Sequence, residues 1–358
     1  MGARAWDAWQ GLGAWIGGHM AIVSPVCVAL GVLFPDELAF LKPWVTPLFA
    51  FMTFQGSLGN NLGNLVRTLR HPAPLLATLA ICTLVMPVAG CALGTLLFGQ
   101  SPQLVCGIVL EYAIPVAVVS CMWIGMRDGD LSLGLAALLV STVLSPVTIP
   151  LTLKVLVGQT VEVDVAQMLQ SMLVQIALPA LAGMLVNDLS HGWGRRVLSP
   201  AISPAARVSL ALVILSNSTG IAEYVRNLTP TLVAVTAFIG LFSASGYAVG
   251  LVVARLWRRD RATQVAMTYS CGMKNISAGA VIAAEFFPGE AMFPVVMGTL
   301  FQQVLASLWG LVLDRVCPPD EVGADDAPRA AGRDADARAS VPRADADARV
   351  HVHLDQEP

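Results

Sequence analysis

Apolar residues run through this chain in long blocks, separated by short polar or charged stretches. Ten blocks can be marked, at about 15–34, 44–66, 73–98, 103–126, 131–157, 166–189, 205–225, 229–256, 264–287 and 291–316. A helix needs about 20 mostly apolar residues to cross the hydrocarbon core of a bilayer, and each block is of that order. The pattern predicts an all-α polytopic membrane protein with ten transmembrane helices. Several blocks carry proline inside them: Pro25, Pro47, Pro87, Pro115, Pro146, Pro150, Pro179 and Pro294. Such prolines are tolerated in a membrane where neighbours re-satisfy the carbonyls they free, so most are expected to be kinks and a minority to mark a site.

Composition points the same way. Of 358 residues, 56% are hydrophobic and 13% charged, against about 25% charged in soluble domains. The net charge of −3 is set by the C-terminal end, because 10 of the 24 acids follow Cys317. That stretch is polar and alanine-rich and repeats Asp-Ala-Asp-Ala-Arg at 334–338 and 345–349. It cannot bury a core, so residues 317–358 are expected to form a disordered tail. Its His351 and His353 are read as solvated, not as metal ligands. At the other end Arg4 is followed by Asp7 and by an apolar run long enough to span. This predicts a short segment, residues 1–14, and then a first transmembrane helix instead of a cleaved signal peptide.

With the N-terminus inside, the cytoplasmic side holds 12 basic residues: Arg4, Arg67, Arg70, Arg127, Arg195, Arg196, Arg207, Arg255, Arg258, Arg259, Arg261 and Arg315. The opposite side holds 3: Lys42, Lys154 and Arg226. The excess predicts a multi-pass protein of a bacterial-type inner membrane with both termini cytoplasmic.

Charge inside the spans is rarer and more telling. Lys274 lies in the ninth block, within Thr268-Tyr269-Ser270-Cys271-Gly272-Met273-Lys274-Asn275-Ile276-Ser277-Ala278-Gly279. An intramembrane charge costs roughly 3 kcal/mol on insertion scales and is a functional-site hypothesis by default. Gly272 and Gly279 weaken the helix around it. Ser270, Asn275 and Ser277 add polar atoms that lipid would not tolerate. The fourth block holds a second such charge, Glu111, one turn before Pro115, and then Ser120 and Cys121. Pro115 has no N–H to give the carbonyl of Glu111. Both blocks therefore read as broken helices. Their crossing would gather Glu111, Pro115, Ser120, Cys121, Ser270, Met273, Lys274, Asn275 and Ser277 into one substrate- or ion-binding region. Lys274 has three readings there: a direct partner of a substrate carboxylate, a tethered stand-in for a coupling cation, or a structural partner of Glu111 or of helix carbonyls.

Other polar groups are less decisive. The second block holds Gln55, Ser57, Asn60, Asn61 and Asn64, which could line a cavity or cap the cytoplasmic end. Gly56 and Gly63 in it share one face and would permit close helix approach. Ser216, Asn217, Ser218 and Thr219 repeat the polar theme in the seventh block. The seven cysteines are scattered without a metal-ligand spacing and read as packing residues. No Gly-x-Ser-x-Gly, Gly-x-Gly-Asp or Walker A pattern occurs, and the spans hold no paired acids or nucleophile–base pair, so an enzyme is not expected. No basic patch with exposed aromatics supports nucleic-acid binding.

A weak internal repeat is visible. Val66-Arg67-Thr68-Leu69 leads into the third block and Val225-Arg226-Asn227-Leu228 into the eighth. Setting Tyr112 beside Tyr269 places Pro115 on Gly272 and Ser120 on Ser277. Two five-helix halves would have opposite topology, the sequence signature of secondary transporters.

These residues resemble the bile acid:sodium symporter superfamily over about residues 15–316. Gly272-Met273-Lys274-Asn275 is similar to the family's Glu-x-Gly-Met-Gln-Asn, and Ser141-Thr142-Val143-Leu144-Ser145-Pro146 to its Ser-Thr-Leu-Leu-Ala-Pro. Met86-Pro87, and Pro115 with Ser120, also fit. The resemblance implies inverted five-helix repeats, a panel domain of helices 1, 2, 6 and 7, and a core domain of helices 3–5 and 8–10. In it, unwound helices 4 and 9 cross at the site. It also implies sodium ligands, and here the chain departs. The family's Glu falls on Ser270, its Gln on Lys274, its Ser-Asn pair on Ser120-Cys121, its Ser and Thr on Gly134 and Leu138, and a further Gln on Cys82. Nearly all sodium-ligating side chains are replaced and an ammonium stands in one vacated place. The expectation is a secondary transporter of a small organic anion, needing no cofactor, sodium-independent or proton-coupled, with Lys274 in place of the coupling sodium. A sodium-coupled organic anion symporter and a membrane sensor or receptor remain as alternatives.

Overall fold

The structure is a computed structural model and describes residues 3–59 and 72–318. The expected tail, together with Asn60, Asn61, Gly63, Asn64, Arg67 and Arg70, lies outside the described residues. Among the described residues the chain is mainly helical, as long apolar blocks in a membrane require. Apart from the short turns Ala39–Trp44 and Ala222–Arg226, the helices are α1 (Ala3–Gly18), α2 (Met20–Leu33), α3 (Val45–Ser57), α4 (Pro72–Phe98), α5 (Pro102–Ala113), α6 (Val118–Met126) and α7 (Leu131–Leu156). They continue with α8 (Val165–Leu189), α9 (Gly194–Thr219), α10 (Pro230–Leu256), α11 (Arg261–Gly272), α12 (Ile276–Phe286) and α13 (Gly289–Val316). Six of them, α4, α7, α8, α9, α10 and α13, are long and apolar enough to cross a membrane. The side chains they leave outward include Leu96, Val155 and Leu241, each more than three-quarters exposed at 78%, 76% and 77%. Such surface is stable only against lipid, and the chain is a multi-pass membrane protein.

Two expected spans are drawn differently. The first, expected as one helix over 15–34, is two helices bent by 83°. The bend follows Gly17-Gly18, a pair that weakens the helix. His19 there turns its Nδ1 to the Trp15 carbonyl (2.8 Å) and stacks on the Trp15 ring. The seventh, expected from residue 205, begins already at Gly194, so Arg195 and Arg196 lie in its first turn and not in a loop.

Local proline chemistry explains the irregular turns. The chain widens to π turns at Ile81–Val85, Leu173–Ala177 and Gly194–Leu198. Each ends two residues before a proline, Pro87, Pro179 and Pro200. The proline ring has no N–H and crowds the turn before it, and a widened turn relieves that crowding.

Packing is dense around α9 and around α5, and α7 against α8 joins the two regions. In one, α9 lies against α1, α2 and α3, and α3 against α8. In the other, α5 lies against α4 and α13, and α10 against α11 and α13. Of the two glycines expected to permit close approach, Gly63 lies outside the described residues. Gly56 has open space where a Cβ would stand. Gly183 of α8 instead backs onto the Phe54 carbonyl of α3, and Gly246 and Gly250 of α10 onto the Cys271 and Met267 carbonyls of α11. Gln55 ties α3 to Ser199 of α9 (3.1 Å to Oγ).

Candidate functional site

Two helices are broken at the same depth. Pro115 forces the residue before it out of the helical region, and Ile114 is extended (φ −64°, ψ 155°). The chain stays extended to Ala117 (φ −72°, ψ 140°), and α6 begins after it. On the other strand of the crossing α11 ends at Gly272, and Met273 is extended (φ −107°, ψ 121°). Asn275 then opens α12 by accepting the Ala278 N–H on its Oδ1 (3.3 Å). An N-cap of this kind contributes about 1 kcal/mol. Asn275→Ala should therefore lower stability by about that much, read as a fall in melting temperature, with the loss confined to α12 in hydrogen exchange.

The two extended pieces pair antiparallel through Val116 and Lys274. Ala117 N–H donates to the Met273 carbonyl (3.1 Å) and Asn275 N–H to the Pro115 carbonyl (2.9 Å). Val116 N–H goes to Ser141 Oγ (3.1 Å) and Lys274 N–H to Gln302 Oε1 (3.1 Å). Unwound backbone at membrane depth is thus satisfied inside the protein, as it must be. The half-helix N-termini of α6 and α12 bring positive dipole ends to the crossing, and the C-termini of α5 and α11 bring negative ones.

Lys274 is buried at 3% exposure, and its ammonium donates to the Cys82 carbonyl (3.2 Å). That carbonyl is available for a reason. It lies in the first π turn, where Met86 N–H goes to the Ile81 carbonyl and Pro87 has no N–H to offer. Of the structural partners expected for Lys274, a helix carbonyl holds its ammonium directly, and Glu111 lies within reach of its charge without forming an ion pair. Among the described residues the one ion pair is Arg127 with Asp314, at the far end of α13. There Asp314 hydrogen-bonds the Arg127 guanidinium and holds its pKa up.

The other expected site residues distribute unevenly around the crossing. Met273 and Pro115 are in the extended pieces themselves. Ser270 is in the last turn of α11; its Oγ is buried without a partner, and its carbonyl receives the Cys82 thiol (3.5 Å). Ser120 is buried and turned back on its own break, donating to the Ala117 carbonyl (2.7 Å). Cys121 and Ser277 are half-buried in the first turns of α6 and α12. Glu111 is buried at 2% exposure with Oε2 unpartnered. Its Oε1 lies where a Cβ on Gly298 of α13 would stand.

Sequence reasoning missed Gln302 and the Cys82 carbonyl. Gln302 had a signal: with Gln303 it is a polar pair inside the apolar last block. The carbonyl had only Pro87, five residues on. No group of three or more His, Cys, Asp or Glu among the described residues could hold a metal ion.

Comparison with known proteins decides the family. The sodium bile acid symporter family matches residues 46–228. This chain belongs to the sodium bile acid symporter family. It is 36% identical to protein YbaS of Bacillus subtilis, over 83% of this chain and 97% of that one. It is 22% identical to YocS of the same organism, named a sodium-dependent transporter, over 79% of this chain and 87% of the relative. It is 26% identical to BASS1 of Arabidopsis thaliana, named a probable chloroplastic sodium/metabolite cotransporter, over 84% and 77%. The family is one of transporters, and this member is a transporter and not an enzyme.

Proposed function

We propose that the protein carries a small organic anion across a bacterial-type inner membrane by alternating access, with Lys274 in place of a coupling sodium. The observation that carries this reading is a buried ammonium at the crossing of two broken helices, held by a single carbonyl. In this reading a substrate carboxylate joins it when the two halves move apart. Ten crossings in two inverted five-helix halves, with both termini cytoplasmic, accommodate the breaks at matching positions. The set around α9 would be the panel (α1–α3, α8, α9) and the set around α5 the core (α4–α7, α10–α13), one moving against the other. Transport is then sodium-independent, driven by the substrate gradient or coupled to a proton that the ammonium gives up in one half of the cycle.

The names of the relatives favour a second reading, sodium symport, in which backbone carbonyls would have to replace the lost side-chain ligands. The two part in a thermal-stability experiment on purified protein with a panel of small carboxylates, each in Na⁺ and in K⁺ buffer. A ligand at 100 times its Kd stabilises the folded state by about 2.7 kcal/mol. A carboxylate-dependent rise in melting temperature, equal in both salts, is the expected result. A rise that needs Na⁺ supports the symporter, and no rise with any carboxylate removes the anion reading.

A further inference from the structure

The membrane face opposite the Arg127–Asp314 pair carries a cleft of about 300 Å³. It lies where α3 and α13 begin and where α9 and α12 end. Lys42, Thr46, Ser216, Asn217, Thr219 and Glu285 supply its polar wall, with the first turn of α13 beside them.

Three features of this wall suit an anion. The Lys42 side chain is exposed at the mouth and, among the described residues, has no carboxylate partner. Ser216 is 4% exposed, and its Oγ is buried without a hydrogen-bond partner. A buried hydroxyl left unpaired costs about 1–3 kcal/mol, and a ligand oxygen would satisfy it. The first turn of α13, a 28-residue helix, follows Pro288, which has no side chain to cap it. Its positive dipole end faces the same space, with the Ala291 N–H already on the Pro288 carbonyl and Glu290 in the same turn. The one acid on the wall, Glu285, is engaged elsewhere: Ser171 Oγ and Gln175 Nε2 of α8 donate to its two oxygens, each at 2.6 Å. Its charge balances that of Lys42 overall, so the attraction for an anion is local to the Lys42 and Ser216 side.

We propose that this cleft is an outer loading site for small organic anions, distinct from the helix crossing, with Lys42 as its cation and Ser216 as its buried donor. Its volume, at the low end for ligand pockets, sets the size class. Its purpose rests on the organic-anion reading above; its test does not.

The test is chemical labelling of Ser216→Cys in the full-length protein. The probes are the anionic 2-sulfonatoethyl and the cationic 2-(trimethylammonio)ethyl methanethiosulfonates, with the parent protein giving the background of its own cysteines. One unit charge a few ångströms away in watery surroundings changes the local anion concentration about fivefold. The anionic reagent should therefore label S216C about fivefold faster than S216C/K42Q, and the cationic reagent should show the reverse order. Equal rates with and without Lys42, or no labelling by either reagent, would overturn the site. Adding Lys274→Ala to S216C should leave labelling unchanged. Lys42-dependent labelling together with normal transport by Lys274→Ala would keep the outer site and discard the role of Lys274.

Discussion

Lys274→Ala should abolish uptake of the transported carboxylate while the protein remains folded. Truncating one partner of a desolvated charge pair costs about 2–5 kcal/mol of binding, so the loss in affinity is expected to be at least ~30-fold. Stability should respond differently. Burying an ammonium costs several kcal/mol, and its one hydrogen bond, to the Cys82 carbonyl at 3.2 Å, returns about 1.5–3 kcal/mol. Removing both leaves the melting temperature level or raised. Lys274→Gln separates the readings further, because it restores the residue type that the family resemblance places there. If Lys274 replaces a coupling cation, the Gln variant should lose sodium-independent uptake, and any residual uptake should acquire a sodium dependence. Normal sodium-independent uptake by Lys274→Ala would end the mechanism. The assays are uptake into proteoliposomes and thermal unfolding of the same preparations.

The residues that made this site legible did so through covalent constraint and cost. Pro115 must push Ile114 out of the helix, and a lysine inside an apolar block needs a partner in the protein. Those two rules, with Gly272 and Gly279, marked both blocks as broken, and the family resemblance implied that they cross. What they could not place is the identity of the partner. Lys274 lies closer in sequence logic to Glu111, the other intramembrane charge, yet its ammonium goes to a backbone carbonyl, and carbonyls are invisible in a pattern of side chains. That carbonyl is free because of Pro87 and the widened turn before it. Recognising it needs the three-dimensional position of α4 against α11. Six of the long blocks return as helices long enough to cross a bilayer, because that length is set by the bilayer. The first and seventh were misjudged where Gly17-Gly18 and Pro200 alter the helix without interrupting its apolar run. The face of Gly56 and Gly63 is only half described, and Gly56 has open space beside it. A glycine face permits approach but does not say which helix arrives, and the helices came together at Gly183, Gly246 and Gly250.

Gly272→Ala should be among the most destabilising single substitutions in the protein. Gly272 has no positive φ to explain it, so its need for glycine is steric: a Cβ there would stand inside the Tyr247 ring. That ring has nowhere to retreat. It is fully buried, stacked on Trp309 at 5.8 Å and edge-on to Tyr269 at 6.2 Å. The backbone behind it is closed as well, because Gly246 already lies against the Cys271 carbonyl. Overpacking a core costs about 1–3 kcal/mol where neighbours can shift, and the upper end is expected here, a fall of at least ~5 °C in melting temperature. Strain at Gly272 is passed directly to Met273 and Lys274, so uptake should fall along with stability. Tyr247→Leu would vacate the space. The double variant should then be less destabilised than the sum of the two single ones, the sign of a shared contact. Additive losses, or an unchanged melting temperature for Gly272→Ala, would show that α10 and α11 are not locked at this point and that the break does not depend on the glycine.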